Sequence, residues 1–456
     1  MTVSLEERSL DWKAPGAAAT LDLLQPNILK AHVRNNLAVP LLSFTDAAGA
    51  KRFLRKLEDK HMKSAKQHLE EVEAYKADER KRGTTYVGVA LSFEGYAALG
   101  IPANHRPADP SFRRSMSDPV TRQTLGDPSL STWDEPYREP IHAIVLIGDA
   151  REASVSAKRA AIHIDPSVTL VGEETGLFQR NEDGDGIEHF GYVDGRSQPL
   201  FLKQDIEEER ATTDGTTVWD PAFPLKQILV REPGRPERYG SYLVFRKLEQ
   251  NVQRFKQEEQ RLAEDLKLQG EDSDRAGALL VGRFEDGTPV TLQREGGGHH
   301  PVMNDFTYAS DGAGMKCPSY AHTRNVNPRT DETRDHLMAR RGQTYGERAD
   351  DPGDEKVKPN RRPTGDVGLL FMAFNSDIAN QFEYTQQALA NAVGAGDTAG
   401  VDQIIGQSRR GRIRSAKRWA GDPKKDLRRT NPVAPAVTMK GGEYFFAPSL
   451  TFLERL

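Results

Sequence analysis

A single cysteine, Cys317, among 456 residues excludes an intramolecular disulfide and any zinc or iron–sulfur ligand set built from cysteine alone. Long apolar runs are also missing. No stretch approaches the ~18 consecutive apolar residues that a membrane-spanning helix needs. Nor is there an excess of one charge: 63 Lys+Arg stand against 67 Asp+Glu, a formal net charge of -4. Bulk attraction to nucleic acid or to an anionic membrane is therefore not expected. The opening segment, MTVSLEERSLDWKAPGAAATLDLL, has neither a basic region followed by an apolar run nor a twin arginine. It predicts no secretory signal and a cytoplasmic location. No repeat of solenoid length is present.

The chain is long enough for two ordinary domains or for one large fold of two similar halves. Three places join an apolar strand run to a helix: 84–91 followed by Ser92–Leu99, GSYLVFR (240–246) followed by a long helix, and GLLFMAF (368–374) followed by Ser376 to about Asn391. In the second, Leu248, Val252, Phe255, Leu262 and Leu266 fall three, four or seven residues apart and make one apolar stripe. In the third, Asn375, Ser376 and Asp377 offer N-caps. IHAIVLIG (141–148) and VTLVG (168–172) read as further strands. Region 45–82 reads as one strongly charged helix with a solvated face. Stretches 101–135, 205–222, 269–275, 290–300 and 347–365 read as loops. Strands and helices mixed without regular alternation predict an α+β fold with antiparallel sheets.

Three segments can carry chemistry. HFGYVDGRSQP (189–199) contains a G-x-x-D-G element in which Asp194 sits between glycines that allow a tight backbone path. The plain alternative is a surface Asp-Gly turn. NEDGDG (181–186), just upstream, lacks the spacing of a calcium loop and reads as a turn. CPSYAHTRNVNPR (317–329) offers His322, and a neutral imidazole is a common axial ligand of haem iron. Arg324, two residues on, could pair with a carboxylate. A partly buried structural histidine is the alternative. MARRGQTYG (338–346) offers Arg340 and Arg341, either of which could stabilise an anion in a small cavity or lie on a basic surface loop.

Taken together, Asp194, His322 and Arg340 with these neighbours, in this order, resemble the dye-decolourising peroxidase family. The similarity continues in GSYLVFRKLEQNV (240–252), GLLFMAFNSDIANQFEY (368–384) and GGEYFFAPSL (441–450), and more weakly in LQPNILKAH (24–32) and YVGVALSFEGYAALGIP (86–102). The resemblance implies two ferredoxin-like halves, residues 1–215 and 216–456, with one haem b per chain in the C-terminal half. It implies His322 as proximal iron ligand, Asp194 as acid–base residue and Arg340, rather than Arg341, as the distal arginine. Leu369 and Phe371 would lie against the haem, Gly195, Ser197 and Gln198 beside its edge, and Arg324 at a propionate.

The activity implied is reduction of hydrogen peroxide with oxidation of small aromatic donors, with no nucleic-acid or membrane partner. An unperturbed aspartate, with a pKa near ~3.9, remains a base in acid, so an acidic optimum is expected. Trp133, Trp219 and Trp419 are candidates for electron relay by residue type alone. Glu383 is a possible partner for the proximal histidine, and Cys317 is expected to be structural. Many relatives carry a tryptophan where this chain has Ala388-Leu389-Ala390. Two other readings stay open: a haem-handling protein for storage, sensing or iron release, which needs His322 but not Asp194, and a haem-free binding module.

Overall fold

The computed structural model describes residues 3–32, 34–213, 217–297, 301–352, 354, 357–392, 401–407, 418–419 and 428–456. Four strands of the N-terminal part are β1 (Asn36–Phe44), β2 (Tyr86–Leu91), β3 (Ala143–Asp149) and β4 (Val168–Leu177). They pair antiparallel in the order β4-β1-β3-β2. β2 and β3 are buried along their whole length, which is why both read as unbroken apolar runs rather than alternating ones. A short hairpin follows, β5 (Gln179–Arg180) and β6 (Gly186–Ile187), with NEDGD (181–185) as its turn.

The C-terminal part adds β7 (Val230–Glu232), β8 (Arg235–Gln250), β9 (Ala339–Arg340), β10 (Gln343–Tyr345), β11 (Gly368–Asn375), β12 (Arg418–Trp419), β13 (Arg428–Arg429) and β14 (Val437–Ala447). Its main strands run β14-β8-β11-β10. In both parts a helical connection follows the first and third main strand, so each traces the same β-α-β-β-α-β path. The architecture is α+β, two ferredoxin-like halves with antiparallel sheets and peripheral helices. The halves join edge to edge where β14 meets β2 through the single pair Phe446↔Leu91, making one ten-stranded sheet. The far edges of that sheet also approach each other. Gln343 donates to the carbonyls of Arg34 (3.2 Å) and Asn35 (3.0 Å), and the Thr344 hydroxyl donates to the carbonyl of Leu177.

The helix after β8, Val252–Leu266, buries Val252, Phe255, Leu262 and Leu266 and is capped by the Asn251 side chain, which accepts from the Arg254 amide (2.8 Å). Leu248, expected on that stripe, instead lies in β8, whose ladder to β11 and β14 runs to Glu249 and Gln250. Spacing alone could not separate the end of a strand from the start of a helix. Region 45–82 holds two helices, Ala47–His61 and Ala65–Ala77. The break falls at Ser64, whose side chain forms a capping box with Gln67, a signal masked by the surrounding charge. The loops expected over 101–135 and 205–222 include the helices Pro110–Arg114 and Pro119–Leu125 and most of Lys203–Arg210. The helix after β11 is wound as π turns over Ala379–Glu383 and Thr385–Ala390, a geometry often found at functional sites. Among the described residues no helix is long and apolar enough to cross a membrane.

Candidate active site

A cavity of about 1810 Å³, its open mouth included, lies on one face of the C-terminal sheet. Side chains two apart along a strand share a face. Leu369 and Phe371 of β11, Arg246, Leu248 and Gln250 of β8, and Val437 and Met439 of β14 therefore form one wall, in register as Leu369↔Leu248↔Met439. The opposite wall comes from the loop after β6, which carries Asp194, Gly195 and Ser197 across from the N-terminal half.

His322 opens the short helix His322–Val326 and faces this cavity. Its Nδ1 lies 2.9 Å from Oδ2 of Asp402, which is fully buried. The other carboxylate oxygen, Oδ1, accepts from the amides of Ile404 and Ile405, both at 2.8 Å, so Asp402 is held from behind. Burial alone would lower the pKa of the His322 imidazole, but the charge and hydrogen bond of Asp402 raise it. Burial likewise acts to raise the Asp402 carboxyl, which His322 and the two amides hold below its usual range. With Nδ1 donating to Asp402, Nε2 is left as the lone-pair nitrogen, the form a metal ligand needs.

Glu383, the partner considered from sequence, is elsewhere: it accepts from Ser111 Oγ (2.9 Å) and the Tyr444 hydroxyl (3.0 Å). Asp402 lies 80 residues from His322, and only the fold brings them together. Its one local signal is the D-x-I-I turn that it caps. Were His322 to hold a metal ion, Asp402→Asn would be expected to weaken that hold by about 10–100-fold, the usual range for a partner of a metal-bound histidine. The rate at which the bound group is lost to a competing acceptor would check this.

Above His322, the Arg340 guanidinium donates to Asp194 Oδ1 (3.0 Å) and to the Arg196 carbonyl (2.7 Å). Its backbone amide donates to Gln198 Oε1 (2.9 Å). Asp194 Oδ1 also accepts from the Gly195 amide (2.7 Å), and Oδ2 is without a partner among the described residues. The glycines are needed here: Gly191 and Gly195 sit at φ 101° and 84°. Arg341 turns away, donating to the carbonyls of Asn27 and Ile28 at 2.7 Å each, so that of the two adjacent arginines it is Arg340 that lines the cavity.

Asp194, Gly195, Ser197, His322, Arg340, Leu369 and Phe371 thus line one cavity. Gln198 lines a neighbouring cavity and touches the site through the Arg340 amide. Arg324 does not reach the cavity. Its guanidinium is buried against Asp311 (3.0 Å to Oδ2, 2.8 Å to the carbonyl) and the carbonyl of Cys317, because the helix turns it inward. Arg329 lines the cavity instead, five residues on, with Arg283 and Arg196. Arg329 and Ser197 are both in left-handed backbone, φ 58° and 60°, and hydrogen-bond each other. Non-glycine residues held this way concentrate at functional sites. Burial, with Arg329 nearby, pushes the Arg283 guanidinium down to about 9.

Trp133, Trp219 and Trp419 are all buried, so none presents the surface ring that the relay idea required. Cys317 is buried too, and burial pushes its thiol up to about 12.

The family description "Dyp-type peroxidase, C-terminal" matches residues 210–400. The multifunctional dye peroxidase DyP2 of an Amycolatopsis species is 53% identical over 467 residues, covering 98% of both chains. This chain belongs to the DyP-type peroxidase family. The solved structure of that DyP2 superposes with a TM-score of 0.93 at 51% identity, covering 99% of this chain and 100% of the other. A DyP-type peroxidase from Anabaena gives 0.91 at 36% identity, covering 99% and 98%. As a DyP-type peroxidase the protein is a haem enzyme that reduces hydrogen peroxide and oxidises aromatic donors.

Proposed function

We propose that one haem b per chain occupies the cavity, with His322 as the proximal iron ligand, Asp194 as the acid–base residue and Arg340 as the charge stabiliser. The observation that carries this reading is that a single cavity is lined both by His322, which the buried Asp402 holds from behind, and by the Asp194–Arg340 pair. The residues fit the group. The imidazole keeps Nε2 for a metal, Leu369 and Phe371 offer an apolar wall to a flat ring, and Arg283 and Arg329 offer cations to its carboxylates in the place first given to Arg324. Gly195 and Ser197 sit at the same edge, and Gln198 orients Arg340.

When bound, the haem supplies the iron at which peroxide is split and the oxidising equivalents drawn on by donors. The protein moves the proton. Asp194 Oδ2, the free oxygen, takes the proton from one peroxide oxygen and returns it to the other, so that water can leave. The Arg340 guanidinium stabilises the anion formed between those transfers.

Supporting a division of the chain at 215/216 is the repeated strand order of the two parts. A cytoplasmic site of action is part of the same proposal. Its support is the lone, buried cysteine, which a reducing compartment tolerates.

The test is haem loading with His322→Ala beside wild type. Wild type is expected to bind one equivalent of haem, with a ferric Soret band, and to oxidise a phenolic dye only with peroxide. His322→Ala should lose most of the bound haem on gel filtration. Haem binding by wild type without turnover would favour the haem-handling reading, and no haem binding at all would favour the binding module.

A further inference from the structure

The wall between the active-site cavity and its neighbour contains a carboxyl with no role so far. Glu188 lines both cavities. It stands six residues before Asp194, at the turn of the loop that presents it. Its own amide donates to the Tyr192 carbonyl (3.1 Å) and its carbonyl accepts from Gly191 (2.9 Å). The side chain closes the loop further: one oxygen accepts from the Phe190 amide (2.9 Å) and from the Gln250 side chain at the end of β8, the other from the Tyr192 amide (3.1 Å). Beyond the turn, Asp194 is fixed by its amide to the Gly186 carbonyl (2.9 Å). Glu188 therefore ties the Asp194 loop to itself and to the haem-side strand.

The charges around it are few. On its own loop they are Asp194, Arg196, which is paired with Glu209, and His189, pushed down to about 4, chiefly by burial. β8 offers the neutral Gln250 and, farther along the same wall, Arg246, which is paired with Asp127. On the side of helix Val252–Leu266, Lys256, Glu259 and Glu285 are paired among themselves, with Tyr192 donating to Glu259. Arg340 is engaged by Asp194. Among the described residues, then, no cation is paired with Glu188. Burial pushes its carboxyl up to about 7 against the pull of its three N–H donors.

Proton transfer from peroxide to Asp194 leaves a peroxide anion beside Arg340. One cation faces one carboxylate there without difficulty. A second ionised carboxylate on the same wall opposes the anion, and a neutral one does not. We propose that Glu188 is a second carboxyl of the active site: it positions the Asp194 loop, and its neutral form is the one that permits peroxide to be bound and deprotonated. Glu188 exchanges no atom in the step; the proton passes between peroxide and Asp194. This rests on the reading of Asp194 and Arg340 given above.

The experiment is kcat/KM for peroxide from pH 5.5 to 8 in the holoenzyme, for wild type and Glu188→Gln, each normalised to its own value at pH 5.5. Wild type should fall about tenfold through a midpoint near pH 7, as for loss of one protonated group, and Glu188→Gln by less than twofold. An unchanged midpoint in the variant overturns the proposal. If Glu188→Gln is too damaged to turn over, Glu188→Asp replaces it: a shifted midpoint supports the proposal, and an unshifted one overturns it. Hydrogen exchange of the Phe190 and Tyr192 amides, corrected for intrinsic rates, reads the same group without turnover. Protection should rise between pH 6 and 8 in wild type and stay flat in Glu188→Gln; a flat wild type overturns the proposal. If wild type shows the exchange signature but no peroxide reaction, the assignment of Asp194 and Arg340 has failed and the titration of Glu188 has not.

Discussion

Asp194→Asn is expected to lower the rate of reaction with peroxide by about 10²–10⁴, the range that a positioned acid–base group supplies. Haem content and the ferric spectrum should be unchanged. The substitution is nearly isosteric. The amide oxygen can still accept from the Gly195 amide and from Arg340, the two donors that hold Oδ1, so the loop and the arginine keep their places. What is lost is confined to Oδ2, where a carboxylate takes a proton and a carboxamide does not. Stopped-flow mixing of each holoprotein with one equivalent of peroxide measures that step before any aromatic donor is involved. A variant within threefold of wild type would mean that water or another group carries the proton. Loss of haem from the variant would mean instead that Asp194 has a structural part in the site.

The residues that can be found from sequence are those whose motif and chemistry coincide in a short stretch. Asp194 is flanked by glycines that its backbone path requires, and His322 and Arg340 each sit in a compact cluster. The strands were legible for a similar reason: burial along β2, β3 and most of β11 leaves apolar runs. Contacts made across the fold were not legible. Asp402 sits in an ordinary capped turn, and its importance comes wholly from the 2.9 Å approach to His322. Arg324 and Arg329 belong to one motif, and nothing local says which turns toward the cavity. The answer depends on Asp311, whose carboxylate and carbonyl capture Arg324, and on the left-handed backbone at Arg329. Glu188 was hidden because a glutamate beside a hairpin looks like any surface charge until its three donors are seen.

The two halves divide the lining of the cavity. The C-terminal sheet gives a flat apolar wall together with His322, while the N-terminal half contributes the loop with Asp194 and, through Glu188 and Gln250, the tie that holds this loop to the sheet. Arg340 stands at the join. It pairs with Ala373 of β11 in the ladder, yet its side chain reaches Asp194 and the Arg196 carbonyl on the other half.

That placement makes Arg340→Leu the second variant with a large expected effect. Removal of one preorganised donor from a developing anion lowers rates by about 10²–10³, and the same loss is expected here in kcat/KM for peroxide. The KM for a bulky aromatic donor should move far less, because the role proposed for Arg340 is toward peroxide and not toward the donor. Arg340→Lys separates charge from geometry. A lysine keeps the cation, but it cannot make the two divergent contacts of the guanidinium, 3.0 Å to Asp194 and 2.7 Å to the Arg196 carbonyl. If charge alone mattered, Arg340→Lys would recover most of the lost rate. If the fork also aims Asp194, Arg340→Lys should stay close to Arg340→Leu, and the double variant with Asp194→Asn should be little worse than Asp194→Asn alone, because both residues then act on the same proton transfer. Additive losses in that double-mutant cycle would show instead that Arg340 and Asp194 act on separate steps.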